Sequence, residues 1–409
     1  MTASAIQGLV SSVLVALLVF APSGARAQGA PPVDDGKATP GVPAAKDAMD
    51  GEFPLPAGAG WHASLVLDNG TTGIWTVKQL PVWTAQACPP VVGLDDKGVC
   101  HVMVPYSGRW TPYRTIADGK WLGGLDCGDV DPRLPGTEIY AGSQSGNVYQ
   151  GVAHRTFFLD NRLIAYLPGR EVHTIVAGDL DPATAGAELL VFTRPGGLYR
   201  ITPDGPNGTF RTTLVQDIAG RVRDAVVLPA RPGQAAEIAT VMDAGRLDLL
   251  RMTADGPRWE NVLSLPMGLG RLAVKPGSTE AGTVLYATVD DGRVFRLERS
   301  SGPGWAAEVI YHGPLGPRGI AAGPFHENPA LETLAVYGYA GKVEILTRTE
   351  AGWTAEVAFQ DRDKGHWLCA AEVDGRNGTR EILASGYGGR IVLLSRPPGY
   401  GERGAATTR

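Results

Sequence analysis

Charged residues are scarce in this 409-residue chain: Asp, Glu, Lys and Arg make up 19% of it, against 44% apolar residues. The formal net charge is −5, the wrong sign for the basic footprint that nucleic-acid binding requires. Cysteine is limited to Cys88, Cys100, Cys127 and Cys369. None has metal-ligand spacing, and Cys100-His101 lacks the upstream Cys of a haem attachment. The seven His are scattered with no i, i+4 pair, and no nucleophile elbow, phosphate-binding glycine loop or metal triad appears. Long hydrophobic runs are missing too. The one apolar run, Leu9 to Ala21, has thirteen residues, too few to span a bilayer.

What the chain does have is turn formers and core formers. Gly (55) and Pro (31) exceed a fifth of the residues, and nine Trp, twelve Tyr and nine Phe supply a large interior. The apolar run followed by Ala25-Arg26-Ala27 reads as a secretory signal over residues 1–27. Its removal takes away Arg26 and leaves a net charge of −6. The expectation is an exported, periplasmic or extracellular monomer with no membrane span, and the four Cys are compatible with an oxidising compartment. A Pro/Gly/Ala-rich linker is expected over 28–60 and a tail over 397–409.

Between them, one hairpin recurs: LDDKGVCHV, SQSGNVYQG, RPGGLYRIT, MDAGRLDLL, VDDGRVFRL, GYAGKVEIL and GYGGRIVLL. The turn glycines Gly98, Gly146, Gly197, Gly245, Gly292, Gly341 and Gly389 are 48, 51, 48, 47, 49 and 48 residues apart. Each is expected at a positive φ, which a two-strand connection needs and Gly adopts without steric cost. An apolar stretch, a loop and a strand such as ELLVF or EIATVM precede each turn, and an amphipathic strand such as RWENVLSL follows. Four short strands per period of this length predict a seven-bladed β-propeller over residues 61–396, an all-β fold with four antiparallel strands per blade. The seventh unit stops at Ser395 after its third strand, while GWHASLVLD near the start matches the fourth strand GWTAEVAFQ. The N-terminal strand is therefore expected to close the last blade and remove an open edge.

Three loops read GDVDPRLPGTEI, GDLDPATAGAEL and AEVDGRNGTREI. They resemble the FG-GAP or VCBS-type propeller repeat, which carries an acidic loop after the innermost strand, often a calcium loop. The resemblance spans roughly Trp61 to Arg396 and implies adhesion, carbohydrate binding, lyase action or scaffolding without choosing among them. The loop acids are Asp129, Asp131 and Glu138; Asp179, Asp181 and Glu188; and Glu372, Asp374 and Glu381. A hard cation wants six to eight oxygens, and the third alternate position is Arg133, Ala183 or Arg376. The acids are expected to accept backbone N–H bonds in tight turns, with no cofactor; bound calcium is the alternative.

Aligned innermost strands open with His173, Arg223, Arg271, Arg318 and His366, with Lys120 and Trp121 just ahead of the matching point in the second unit. Strands related by the ring's rotation would gather these side chains at one mouth of the central channel, a site for an anionic ligand. The expectation is an exported binding or scaffold propeller for an anionic glycan or a protein partner, with no catalytic residue assigned. The alternative is a polysaccharide lyase using the channel-mouth Arg and His as electrostatic clamp and base.

Overall fold

The computed structural model describes residues 58, 60–70, 72–80, 89–106, 109–134, 136–153, 159–205, 207–229, 235–300, 304–314, 316–373 and 379–396. All of them belong to one compact unit, Ala44–Arg409. The expected signal at 1–27, most of the linker at 28–60, the tail at 397–409, Cys88 and Asp374 lie outside the described residues.

The described residues form 28 strands in seven four-stranded antiparallel sheets, arranged in a ring: a seven-bladed β-propeller. Blade three shows the pattern, running outward from the axis as Glu171–Gly178, Glu188–Arg194, Gly197–Asp204 and Thr209–Asp217. Burial follows radial position. Second strands such as Glu237–Met242 and Glu381–Gly386 are buried at every residue because neighbouring blades cover both faces. Fourth strands such as Thr209–Asp217 alternate between half-buried and exposed, as an edge with one wet face must. The core is divided into seven hydrophobic clusters, each between two adjacent blades.

The closing strand is His62–Asp68, which pairs antiparallel with Arg390–Ser395, placing His62 opposite Ser395 and Asp68 opposite Arg390. Val66 and Leu67 join Leu383, Ile391 and Leu393 of blade seven and Ile74, Val77 and Met103 of blade one in one cluster, so the ring closes on a packed interface. Trp61 is buried just ahead of that strand, with the Arg396 guanidinium 4.1 Å from its ring.

Six of the seven turn glycines adopt a positive φ, for example 81° at Gly98 and 85° at Gly146. Gly197 is the exception and corrects the expectation for that turn. In blade three Pro195-Gly196 makes the turn, and Gly197 already belongs to the next strand. The demand at this position is also steric: a Cβ at Gly146 would lie 2.2 Å from the Leu167 carbonyl oxygen, and one at Gly196 2.0 Å from that of Ile218. The turn carries no side chain because the chain leaving the fourth strand passes directly over it.

Candidate functional site at the channel mouth

The innermost strands are Ile74–Gln79, Leu122–Gly128, Glu171–Gly178, Val222–Val227, Leu269–Val274, Pro317–Ala322 and Gly365–Ala371. Each breaks register with its second strand near its start. In six of them one extra residue is squeezed out of the ladder: Trp75, Gly123, His173, Arg223, Arg318 and His366. A β-bulge bends the strand and re-aims its side chain, here toward the axis. The bulge also strips a carbonyl of its ladder partner, and a side chain of an adjacent blade supplies a new one. His366 Nδ1 donates to Trp75 O at 2.8 Å, Thr76 Oγ1 to Gly123 O at 3.0 Å, and Arg271 Nη1 to Arg223 O at 2.6 Å. The inner strands belong to separate sheets, so these bonds tie them together around the channel.

All seven inner strands line one cavity of about 390 Å³. Six of the residues singled out from the sequence face it: Trp121, His173, Arg223, Arg271, Arg318 and His366. Lys120 does not; it is exposed on the preceding turn and is not among the lining residues. Trp121 reaches the site indirectly. A Cβ at Gly123 would lie 2.2 Å from the Trp121 ring, so the indole covers the bulge where blade two has no side chain of its own. Arg271 is displaced by one residue from its expected equivalence. Leu269 pairs with Val289 and Leu272 with Ala287, which puts Gly270 at the place of Arg223 and Arg271 at the place of Asp224. Its guanidinium crosses toward blade seven and sits 4.6 Å from the Trp367 ring.

Sequence alignment of the strand openings misses Trp75, which stands 23 residues before Gly98, as Arg318 does before Gly341 and His366 before Gly389. It also misses an outer tier formed by the residue two before each turn glycine. Gln144, Arg194, Tyr339 and Tyr387 at that place line the cavity, while Asp243 and Asp290 pair with its arginines. The signal lay in the hairpin already used to find the repeat.

Charge at the mouth is only partly compensated. Arg223 Nη1 and Arg318 Nη1 share the Asp290 carboxylate, each at 2.9 Å. Arg221 approaches Asp243 at 3.5 Å and Arg194 approaches Glu171 at 3.6 Å. Arg271 has no carboxylate in ion-pair contact among the described residues; burial and repulsion from Arg318 and Arg223, partly relieved by Asp224, bring it down to about 10. Burial and the nearby Arg221 lower His173 to about 4, and burial with Arg271 holds His366 well below the usual histidine range. Both rings are neutral at pH 7. Because Nδ1 of His366 donates to a carbonyl, the lone pair of this ring is on Nε2. Tyr339 is lowered despite burial, by its hydrogen bond with Tyr387 and by Arg318. Nε1 of Trp75 and Trp121 and Nε of Arg221, Arg223 and Arg271 are buried without a hydrogen-bond partner.

Deeper in the channel Lys78 pairs with Asp126 at 2.6 Å, and Asp126 also accepts from the Ala177 amide of blade three at 2.9 Å. Cys100, Cys127 and Cys369 are free thiols, and burial pushes all of them up, Cys100 to about 12.

The acidic loops are folded back on themselves. Glu138 Oε2 accepts from the amides of Val130 and Asp131 and from Tyr140 Oη, while its Oε1 has no partner. Asp131 is buried between Arg133 and Arg162 at 2.5 and 2.6 Å. Glu188 repeats the pattern with the amides of Leu180 and Asp181 and with Thr184, and Asp181 pairs with Arg200. Glu381 accepts from the Val373 amide at 2.6 Å, and Glu372 approaches Arg380 at 3.7 Å. Asp129 and Asp179 are exposed. Among the described residues no three His, Cys, Asp or Glu converge as a metal site.

No protein-family model matches the chain, and no curated protein matches it either. The resemblance to FG-GAP or VCBS repeats therefore rests on the three loop sequences, and the structure carries it as far as the propeller architecture.

Proposed function

We propose that the channel mouth is the ligand-binding site of an exported binding propeller and that its ligand is an acidic glycan. One observation carries the reading: five guanidinium groups, those of Arg194, Arg221, Arg223, Arg271 and Arg318, converge with Trp75, Trp121 and Tyr387 on a single cavity of about 390 Å³. Guanidinium groups recognise carboxylate and phosphate through paired donors, and a concave site with aromatic walls and a few convergent polar groups is the usual form of a small-ligand pocket. Titration calorimetry of the full chain with oligogalacturonate and with the matching neutral galactose oligomer tests it. Binding of the acid alone, lost in Arg221→Gln and Arg318→Gln, is the expected result; equal binding of both, or of neither, overturns the reading. The acidic loops have a structural role in this account, with their carboxylates holding backbone amides and arginines.

A second reading is favoured by His366. This residue lines the cavity as a neutral ring with its lone pair on Nε2, and it lies beside Arg271 and Arg318. It has the form of a base for elimination on a uronate: the base takes the proton α to the carboxylate, the arginines hold the resulting charge, and the glycosidic C–O bond breaks as the C=C bond forms, the leaving oxygen taking a proton from water to give an alcohol and an unsaturated sugar. Accumulation of the ultraviolet-absorbing unsaturated product, abolished in His366→Gln, would establish this activity; its absence with a ligand that binds leaves the mouth a binding site only.

A further inference from the structure

The lining of the cavity is divided around the axis. Blades seven, one and two present rings: Trp75 lies 5.6 Å from Tyr387, 4.4 Å from His366 and 5.7 Å from Trp121, centroid to centroid. Blades three to six present the guanidinium groups, with the rings of His173 in blade three and Tyr339 in blade six at the two borders, beside Trp121 and Tyr387. The cavity is also limited in depth. Its lining comes from the mouth-side part of the inner strands and ends at Lys78, Leu125 and Ala225; Gln79, Cys127, Val227 and Cys369, farther along the same strands, do not contribute. At its inner limit Lys78 is held by Asp126, and Arg271 reaches from the Arg223 carbonyl toward the Trp367 ring.

Two consequences follow from that shape. Because all seven inner strands surround the cavity and the Arg271 guanidinium crosses its inner end from the Arg223 carbonyl of blade four to the Trp367 ring of blade seven, an occupant is walled around the axis and enters by the mouth. The middle of a polymer would have to double back there, with both arms leaving by the same opening, whereas a chain end needs no such fold. And because one half of the wall is aromatic and the other cationic, the occupant gains from both only if one side is an apolar ring face and the other an anion. Aromatic side chains offer large flat apolar surfaces with polar edges, and arginine offers paired donors to a carboxylate.

We infer that the cavity takes the end of an acidic glycan chain, a terminal uronate whose carboxylate faces the arginines of blades three to six and whose C–H face lies against Trp75 and Trp121. This rests on the reading of the mouth as an acidic-glycan site and adds to it the mode of entry and the orientation.

The test is calorimetry on the full chain with galacturonate oligomers of increasing length, and with long oligomers blocked by a bulky label at the reducing or at the non-reducing end. Affinity should rise over the shortest oligomers and then level off, and one of the two end blocks should abolish binding while the other is tolerated. Trp75→Leu and Trp121→Leu, which keep an apolar side chain but remove the ring, should weaken the unblocked oligomer by about 10-fold, the scale of a lost aromatic contact, and Arg221→Gln should weaken it while methyl esterification abolishes it. Affinity that keeps climbing with length, or indifference to both end blocks, overturns chain-end recognition while leaving acidic-glycan binding intact. Binding of simple aromatic carboxylates in place of the oligomers overturns the assignment of a sugar. Absence of binding by every acid overturns the underlying reading itself.

Discussion

In the acidic loops of blades two and three, each buried carboxylate is drawn inward onto donors of its own neighbourhood. Asp131 is held by Arg133 and Arg162, Asp181 by Arg200, and Glu188 by two amides and Thr184. At the channel mouth the balance is reversed. Arg223 and Arg318 divide one carboxylate between them, Arg271 rests on an aromatic ring, and two neutral histidines face the same space. The two regions use the same residue types. They differ in whether the charges have found partners within the fold, and a closed network fits an architectural role as an open one fits a ligand.

Opening the closed network should have the largest effect on stability. Asp131→Ala would leave Arg133 and Arg162 without the buried carboxylate between them; both guanidinium groups keep access to water, so the loss is that of charge-assisted hydrogen bonds, about 1.5–3 kcal/mol. The denaturant midpoint should fall accordingly while anion binding at the mouth is unaffected. A loss of stability too small to measure would mean that the loop charges are decorative, and the contrast with the mouth would collapse.

Much of this was legible in the hairpin repeat. Gly spacing gave seven blades, and the unmatched strand GWHASLVLD gave the closure through His62–Asp68. His173, Arg223, Arg318 and His366 line one cavity, because a repeat carries equivalent residues to equivalent places. Arg271 stands 21 residues before Gly292 where Arg223 stands 22 before Gly245, so with the same ladder register in both blades Gly270 takes the equivalent place. Lys120 lies on the turn before the strand. Residues a position or two apart at a strand opening differ in whether they sit on the bulge, and only the bulged one is re-aimed. The partners of the loop acids could not be read from the loops, because Arg162 and Arg200 come from other strands.

Acid should separate the two regions next. His173 falls from 6.5 to about 4 in the folded protein, chiefly through burial and Arg221. Below pH 6.5 the unfolded chain takes up a proton that the native site refuses, so stability at this group is full above 6.5 and is lost as pH falls toward 4. A tenfold change in proton affinity between the folded and unfolded chain is worth about 1.4 kcal/mol, so the group accounts for about 3 kcal/mol across the window. The buried loop acids Glu138 and Glu188 are shifted upward, by burial above all. They take up protons more readily when folded and oppose the trend. Chemical denaturation at a series of pH values should show His173→Gln losing less stability than the parent between 6.5 and 4; parallel curves would show that His173 is not the group responsible.

Charge removal at the mouth tests its open character. Arg318→Gln leaves Asp290 still paired with Arg223, so no charge is left alone and the cost in stability should be small, about 1 kcal/mol. Arg271→Gln should destabilise more, since Arg271 holds the Arg223 bulge carbonyl and covers Trp367. In binding the order is different: a charge-assisted hydrogen bond is worth about 1.5–3 kcal/mol, so Arg318→Gln should weaken an acidic oligosaccharide by roughly 10- to 100-fold and reduce its salt dependence. If Arg318→Gln costs more in melting temperature than in affinity, the mouth is as closed a network as the loops.

The smallest effect is expected from calcium. A hard cation requires several oxygens on one point, and in blades two and three the acids nearest to that description already hold arginines and amides: Asp131 with Arg133 and Arg162, Glu138 with the amides of Val130 and Asp131, and Glu188 with those of Leu180 and Asp181. Binding would have to displace guanidinium groups that are in contact, exchanging one compensated charge for another. Thermal melts of the full chain in excess calcium and in chelator should therefore coincide. A loop occupied at a hundredfold above its dissociation constant would instead add about 2.7 kcal/mol. A rise of that size, lost in Asp181→Asn and kept in Arg318→Gln, would place the cation in the loops and make them the second ligand site of the propeller.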